Sequence, residues 1–92
     1  MLYPFMTLDD GTEIVHSEPF YVDGKEKVRV VFEKPVYGGF KHAECIIPDY
    51  SWEDVSGYSS EEIDELLGIT KDLSAVIINL ARNGGFDNAS SF

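Results

Sequence analysis

Lys27-Val28-Arg29-Val30-Val31-Phe32-Glu33 is the stretch on which the fold turns. Val28, Val30 and Phe32 alternate with Arg29, Val31 and Glu33, the period of two by which a strand shows one face to a core and the other to water. Just upstream, Asp23-Gly24 is a hairpin dipeptide, since glycine takes a positive φ at little cost, and it joins a strand at about 19–22 to one at 26–33. Asp9-Asp10-Gly11 does the same for about 5–8 (Phe5, Met6, Thr7, Leu8) and 12–17. Downstream, Pro35 and Gly38-Gly39 break the alternation. It resumes over 40–47, with Ala43, Cys45 and Ile47 on one face and His42, Glu44 and Ile46 on the other. The economical arrangement is an antiparallel meander of four or five strands within about 3–47.

Residues 48–58 read as a loop that is acidic and aromatic at once. The period then changes. Ser59-Ser60-Glu61-Glu62 sets a hydroxyl three residues before a glutamate, a capping box, and acids in the first turn suit the positive end of the helix dipole. Ile63, Leu66, Leu67, Leu73, Val76, Ile77, Leu80 and Ala81 keep helical spacing. Gly68 and Thr70 leave open whether this is one helix or two. Arg82 suits a last turn and Gly84-Gly85 a C-terminal cap, and 87–92 reads as a frayed tail. A single switch from period two to 3.6 leaves one apolar sheet face and one apolar helix stripe, which must bury each other. The expectation is therefore one α+β domain over 1–92, its sheet packed by a helical segment at about 60–83.

The size permits a thin core: a 92-residue chain of 10.3 kDa falls from roughly 15,000 Å² of accessible surface unfolded to about 5,400 Å² folded. With 43% apolar residues, 13% aromatic and 26% charged, the composition is that of a folding domain and not of a disordered one. Seventeen acids against seven bases give a net charge of −10 and an isoelectric point near 4.3, which argues against nucleic acid and anionic membranes as direct partners. A positively charged protein surface is the natural one. Cys45, the single cysteine, cannot form an internal disulfide, and Met1-Leu2-Tyr3-Pro4-Phe5 lacks the basic and long apolar regions of a signal peptide, so the expected compartment is the cytoplasm.

Chemistry-bearing motifs are sparse. His42 and Cys45 stand three apart on a strand, so their side chains leave opposite faces and do not form a joint metal site. Counting back five from Gly57 puts Trp52 where a calcium loop needs its first acid. No spacing pairs Cys45 with His16 or His42 as a nucleophile and base, and no serine sits on a strand-turn-helix elbow. Glu61 and Glu65, four apart, could share a proton, but exposed helical acids ordinarily only solvate their helix. No catalytic residue, metal or cofactor is expected.

The charge itself is the strongest signal. Residues 44–72 hold nine acids (Glu44, Asp49, Glu53, Asp54, Glu61, Glu62, Asp64, Glu65 and Asp72) and one base, Lys71, and so carry −8 of the −10. Tyr50, Trp52 and Tyr58 are interleaved with them, aromatics of the kind that anchor protein interfaces. The candidate partner-binding surface comprises Asp49, Glu53, Asp54, Glu61, Glu62 and Glu65 as charges and Trp52 and Tyr58 as anchors. A plainer reading stands beside it, in which Tyr50 and Trp52 turn inward to cap a thin core and the acids only keep the protein in solution.

Tyr3-Pro4-Phe5-Met6-Thr7-Leu8, Asp10-Gly11-Thr12-Glu13-Ile14-Val15-His16-Ser17, Val31-Phe32-Glu33-Lys34-Pro35, Gly39-Phe40, Ala43-Glu44-Cys45, Pro48-Asp49-Tyr50-Ser51-Trp52 and Gly57-Tyr58-Ser59 resemble a family of small acidic proteins. The likeness continues through Glu61-Glu62-Ile63 to Ala81 and Gly84-Gly85. That family travels in phages and conjugative elements of Gram-positive gut bacteria. The resemblance brings no assigned activity and no catalytic residues. It implies a context in which accessory proteins block host defence, as small acidic anti-CRISPR proteins do by occupying basic nucleic-acid channels. The resulting expectation is a non-enzymatic acidic binding module that mimics DNA charge against the basic groove of a nucleic-acid-handling defence enzyme. The alternatives are a regulatory or assembly module binding through its sheet edge, and a hydrolase using Cys45 or His16.

Overall fold

Val28, Val30 and Phe32 do form one buried face of a central strand, and the rest of the sheet is assembled on its two sides. A computed structural model describes residues 1–85, in the order β1 (Leu2–Thr7), β2 (Glu13–Ser17), β3 (Phe20–Val22), β4 (Lys25–Val36), β5 (Gly39–Ile47), β6 (Ser51–Ser56) and α1 (Ser60–Arg82). The tail at 87–92 lies outside the described residues. The sheet runs β1-β2-β4-β5-β6 with every neighbour antiparallel, and β3 pairs with the start of β4. The Asp23-Gly24 turn has φ of 51° and 76°, the two positive angles by which a tight hairpin matches the twist of its strands.

The α+β class and the five strands within 1–47 match the sequence reading, and one strand exceeds it. Residues 51–56, expected to be loop, form β6 against β5, with Cys45 opposite Trp52 and Glu44 opposite Glu53. Ser51, Glu53, Asp54 and Ser56 are poor strand formers, and only Trp52 of this edge strand turns toward the core. A composition half-buried at one position shows no alternation to read.

The core joins Ile14, Val28, Val30, Phe32, Cys45 and Ile47 of the sheet to Leu66, Ile77 and Ala81 of α1. Val76, placed on the apolar stripe by its spacing, is 50% exposed instead. The helix is continuous through Gly68, whose interior position costs about 1 kcal/mol relative to alanine. Leu66 and Thr70 are buried on either side of it, and the Thr70 hydroxyl is satisfied inside the helix by donating to the Leu66 carbonyl at 2.7 Å. At the C-terminal end Gly84 N–H donates to the Ala81 carbonyl (3.3 Å) and Gly85 N–H to the Leu80 carbonyl (2.8 Å), the paired closure that ends many helices. Gly85 must be glycine twice over: its φ is +85°, and a Cβ there would sit 2.9 Å from the Tyr3 ring.

Cys45 is fully buried, and burial pushes its thiol up to about 11. A thiolate is the reactive form, so native protein should label with a thiol reagent far more slowly than free cysteine does. Labelling at the free-cysteine rate would contradict this placement.

Candidate functional site

Strand pairing puts the acids of 44–72 on two sides of the molecule. On the sheet face turned away from α1, Glu44 and Glu53 are ladder partners, and the Arg29 guanidinium donates to Glu44 Oε1 at 2.7 Å and to Glu53 Oε1 at 3.0 Å. Burial raises the Glu44 carboxyl, but hydrogen bonds from His42 and Arg29 outweigh it and hold the group below its usual range. Val31 and Ile46 are buried on this face although no helix among the described residues covers it; their ladder partners are Glu44 and Arg29, long side chains whose stems can cover apolar surface. His42 lies here too, with Nε2 2.8 Å from Glu44 Oε2 and 3.5 Å from Asp54 Oδ2, and Nδ1 3.1 Å from Glu33 Oε2. Hydrogen bonds to Glu44 and then Glu33 favour the imidazolium and raise His42 above its usual range.

The remaining candidates lie outside that network. Asp49 accepts from Lys27 Nζ at 2.6 Å. Glu62 completes the capping box, taking the Ser59 N–H on Oε1 at 2.9 Å while its own N–H donates to Ser59 Oγ at 3.1 Å, and it also accepts from Lys41 Nζ at 2.6 Å. Lys41 and the Ser59 N–H hold its carboxyl down at about 2. A carboxylate lowered on folding contributes stability above its unfolded value near 4.5, and that contribution is lost as pH falls through about 2. A proton titration followed by NMR should therefore find Glu62 still ionised at pH 3; a midpoint near 4.5 would contradict the cap.

Both proposed anchors pack inward in part. The Trp52 ring lies 5.9 Å from that of Phe32, and Tyr58 is half-buried against the core with Lys41 Nζ 5.6 Å from its ring centre. Burial raises the Tyr58 phenol. Tyr50 donates to Ser74 Oγ at 3.1 Å, which ties the 48–50 turn to the helix. Glu61 and Glu65 differ from all of these: they are exposed, and among the described residues neither has an ion-pair partner. Asp64 and Asp72 share that condition, and the four positions 61, 64, 65 and 72 fall on one side of the helix at 100° per residue. Over eleven residues this stripe runs about 16 Å.

The nucleophile alternative finds no geometry to support it. His16 and Cys45 flank Val30 on neighbouring strands, two strand spacings or about 10 Å apart. His16 is fully buried, its Nδ1 2.8 Å from the Ser17 carbonyl oxygen and its Nε2 without a hydrogen-bond partner among the described residues. The sequence reading missed the convergence of His42, Glu44 and Asp54. The pair two apart on one strand was a signal for half of it, whereas Asp54 arrives only because 51–56 is a strand. Among the described residues no helix is long and apolar enough to cross a membrane. Comparison with protein-family models, curated proteins and solved structures returns no match for this chain.

Proposed function

We propose that this chain is a non-enzymatic, cytoplasmic protein-binding module that docks the acidic stripe of α1 into a Lys/Arg-lined groove of a partner. The observation that carries the reading is the division of the charges. Five of the seven basic side chains (Lys27, Arg29, Lys34, Lys41 and Arg82) are in ion pairs with the chain's own acids, and none of those pairs uses Glu61, Asp64, Glu65 or Asp72. Asp9, Glu13 and Asp23 are likewise in no ion pair among the described residues, but only Glu61, Asp64, Glu65 and Asp72 share one exposed side of a helix. The four charges of this stripe stand about 5.5 Å apart on average along the helix axis, sparser than the roughly 3.4 Å per phosphate of one DNA strand but of the same sign. With the resemblance to proteins of mobile genetic elements, this supports an anti-CRISPR-like inhibitor that competes with nucleic acid for a defence enzyme. Asp49 and Glu53, neutralised by Lys27 and Arg29, contribute little to this contact, and Trp52 and Tyr58 pack partly inward.

A second reading rests on a different observation: β6 ends the sheet, so its outer edge is unpaired among the described residues, and Val55 on it is 44% exposed. An extended segment of another protein could add there as a further strand. The two readings separate in a pull-down from bacterial lysate at low and high salt. Capture through the stripe fails at high salt and is displaced by duplex DNA; capture through the edge survives both.

A further inference from the structure

We propose that the sheet face turned away from the helix holds a divalent cation of the zinc class, liganded by His42, Glu44 and Asp54. His42 Nε2 and one carboxylate oxygen each from Glu44 and Asp54 lie within 4.8 Å of one another. Two ligand atoms about 2.1 Å from a shared ion, at angles of 90–110°, are about 3.0–3.4 Å apart. The 2.8 Å and 3.5 Å separations from Nε2 bracket that range, and the two carboxylate oxygens, within 4.8 Å of each other, would close on the ion by side-chain rotation.

The surroundings have the form that holds a metal-binding histidine in place. Glu33, the ladder partner of His42, stands 3.1 Å from Nδ1 and so turns Nε2 toward the two carboxylates, the carboxylate–histidine arrangement found behind metal ligands. Glu44 divides its oxygens: Oε1 takes the Arg29 guanidinium, and Oε2 is the one that faces His42. His42 and Glu44 project from one face of β5, and Asp54 reaches them from the irregularity in the paired β6 between Glu53 and Ser56, where its φ is +52°. Charge favours occupancy. Glu33, Glu44, Glu53 and Asp54 against Arg29 leave three negative charges around a neutral imidazole, of which a proton removes one and a divalent ion two. One imidazole with two carboxylates suits zinc-class ions, whereas magnesium and calcium prefer oxygen alone.

Isothermal titration of ZnCl2 into the full chain tests the site, with MgCl2 as the oxygen-preferring control and Co²⁺ as a spectroscopic probe. The expected result is one saturable Zn²⁺ per chain and a visible Co²⁺ spectrum. His42→Gln and Asp54→Asn should each weaken binding at least about tenfold, and Glu33→Gln should weaken it by a similar or smaller factor. The Asp54 side chain is 75% exposed, so Asp54→Asn keeps the fold, checked by circular dichroism, even where His42→Gln does not. Absence of saturable Zn²⁺ binding overturns the proposal. So does unchanged affinity in folded Asp54→Asn, or Mg²⁺ binding as tightly as Zn²⁺.

Discussion

Phe32→Ala should cost about 4 kcal/mol of unfolding free energy, the larger of the two stability effects that separate core from surface in this chain. Phe32 heads the fully buried side chains by volume. It stands between Ile14 of β2 and Ala43 of β5 on the helix-facing side, with the Trp52 ring of β6 5.9 Å away, so truncation opens a cavity bounded by three neighbouring strands at once. Large aromatic-to-alanine changes in such positions cost about 3–5 kcal/mol, against a total stability for a domain of this length on the order of 5–14 kcal/mol. Phe40→Ala is the internal control: Phe40 is 64% exposed near the β4–β5 turn, and its removal should cost about 0.5 kcal/mol or less. Urea denaturation measures both. Equal effects at the two positions would contradict the packing described here.

Reversing the stripe should have the larger effect on binding. Glu61→Lys, Glu65→Lys and Asp72→Lys together leave the capping box untouched, because its carboxylate is Glu62. Each exposed change should alter stability by about 0.5 kcal/mol, with somewhat more at position 61, where a cation opposes the helix dipole. Against a basic groove the same changes replace attraction with repulsion. Like-charge contacts cost several kcal/mol, and each 1.4 kcal/mol is tenfold, so affinity should fall by a factor of about 100 or more. If the reversed protein binds its partner as tightly as the parent at about 0.15 M salt, the stripe serves solubility alone and the β6 edge becomes the place to look.

What could be read from the residues, and what could not, divides along the range of the forces involved. Val28, Val30 and Phe32 declared their strand because burial on one face writes itself into adjacent positions, and Ser59 with Glu62 declared the helix start because a cap is local. The strand at 51–56 did not, since its polar residues gain their place from β5 and not from their own preferences. The acidic surface was legible as a total and not as a pattern. Asp49 and Lys27, Glu53 and Arg29, and Glu62 and Lys41 are 21 to 24 residues apart, and only the folded sheet pairs them. Once those pairs are made, the acids of 44–72 left without one are Glu61, Asp64, Glu65 and Asp72, on one side of α1. The same long-range pairing brings Asp54 to His42, which no reading of spacing along one strand could supply.

If the exposed acids of α1 drive docking, affinity must depend on salt. A captured partner should be titrated with the full chain at about 0.05 M and 0.5 M NaCl, with and without duplex DNA. At the lower concentration the screening length is about 14 Å and at the higher about 4 Å, so an interface built on the exposed acids of α1 must weaken steeply between them. The account predicts that loss of affinity, together with mutually exclusive binding of this chain and DNA. Affinity that is unchanged by salt, on a partner that still binds DNA in the complex, would contradict it.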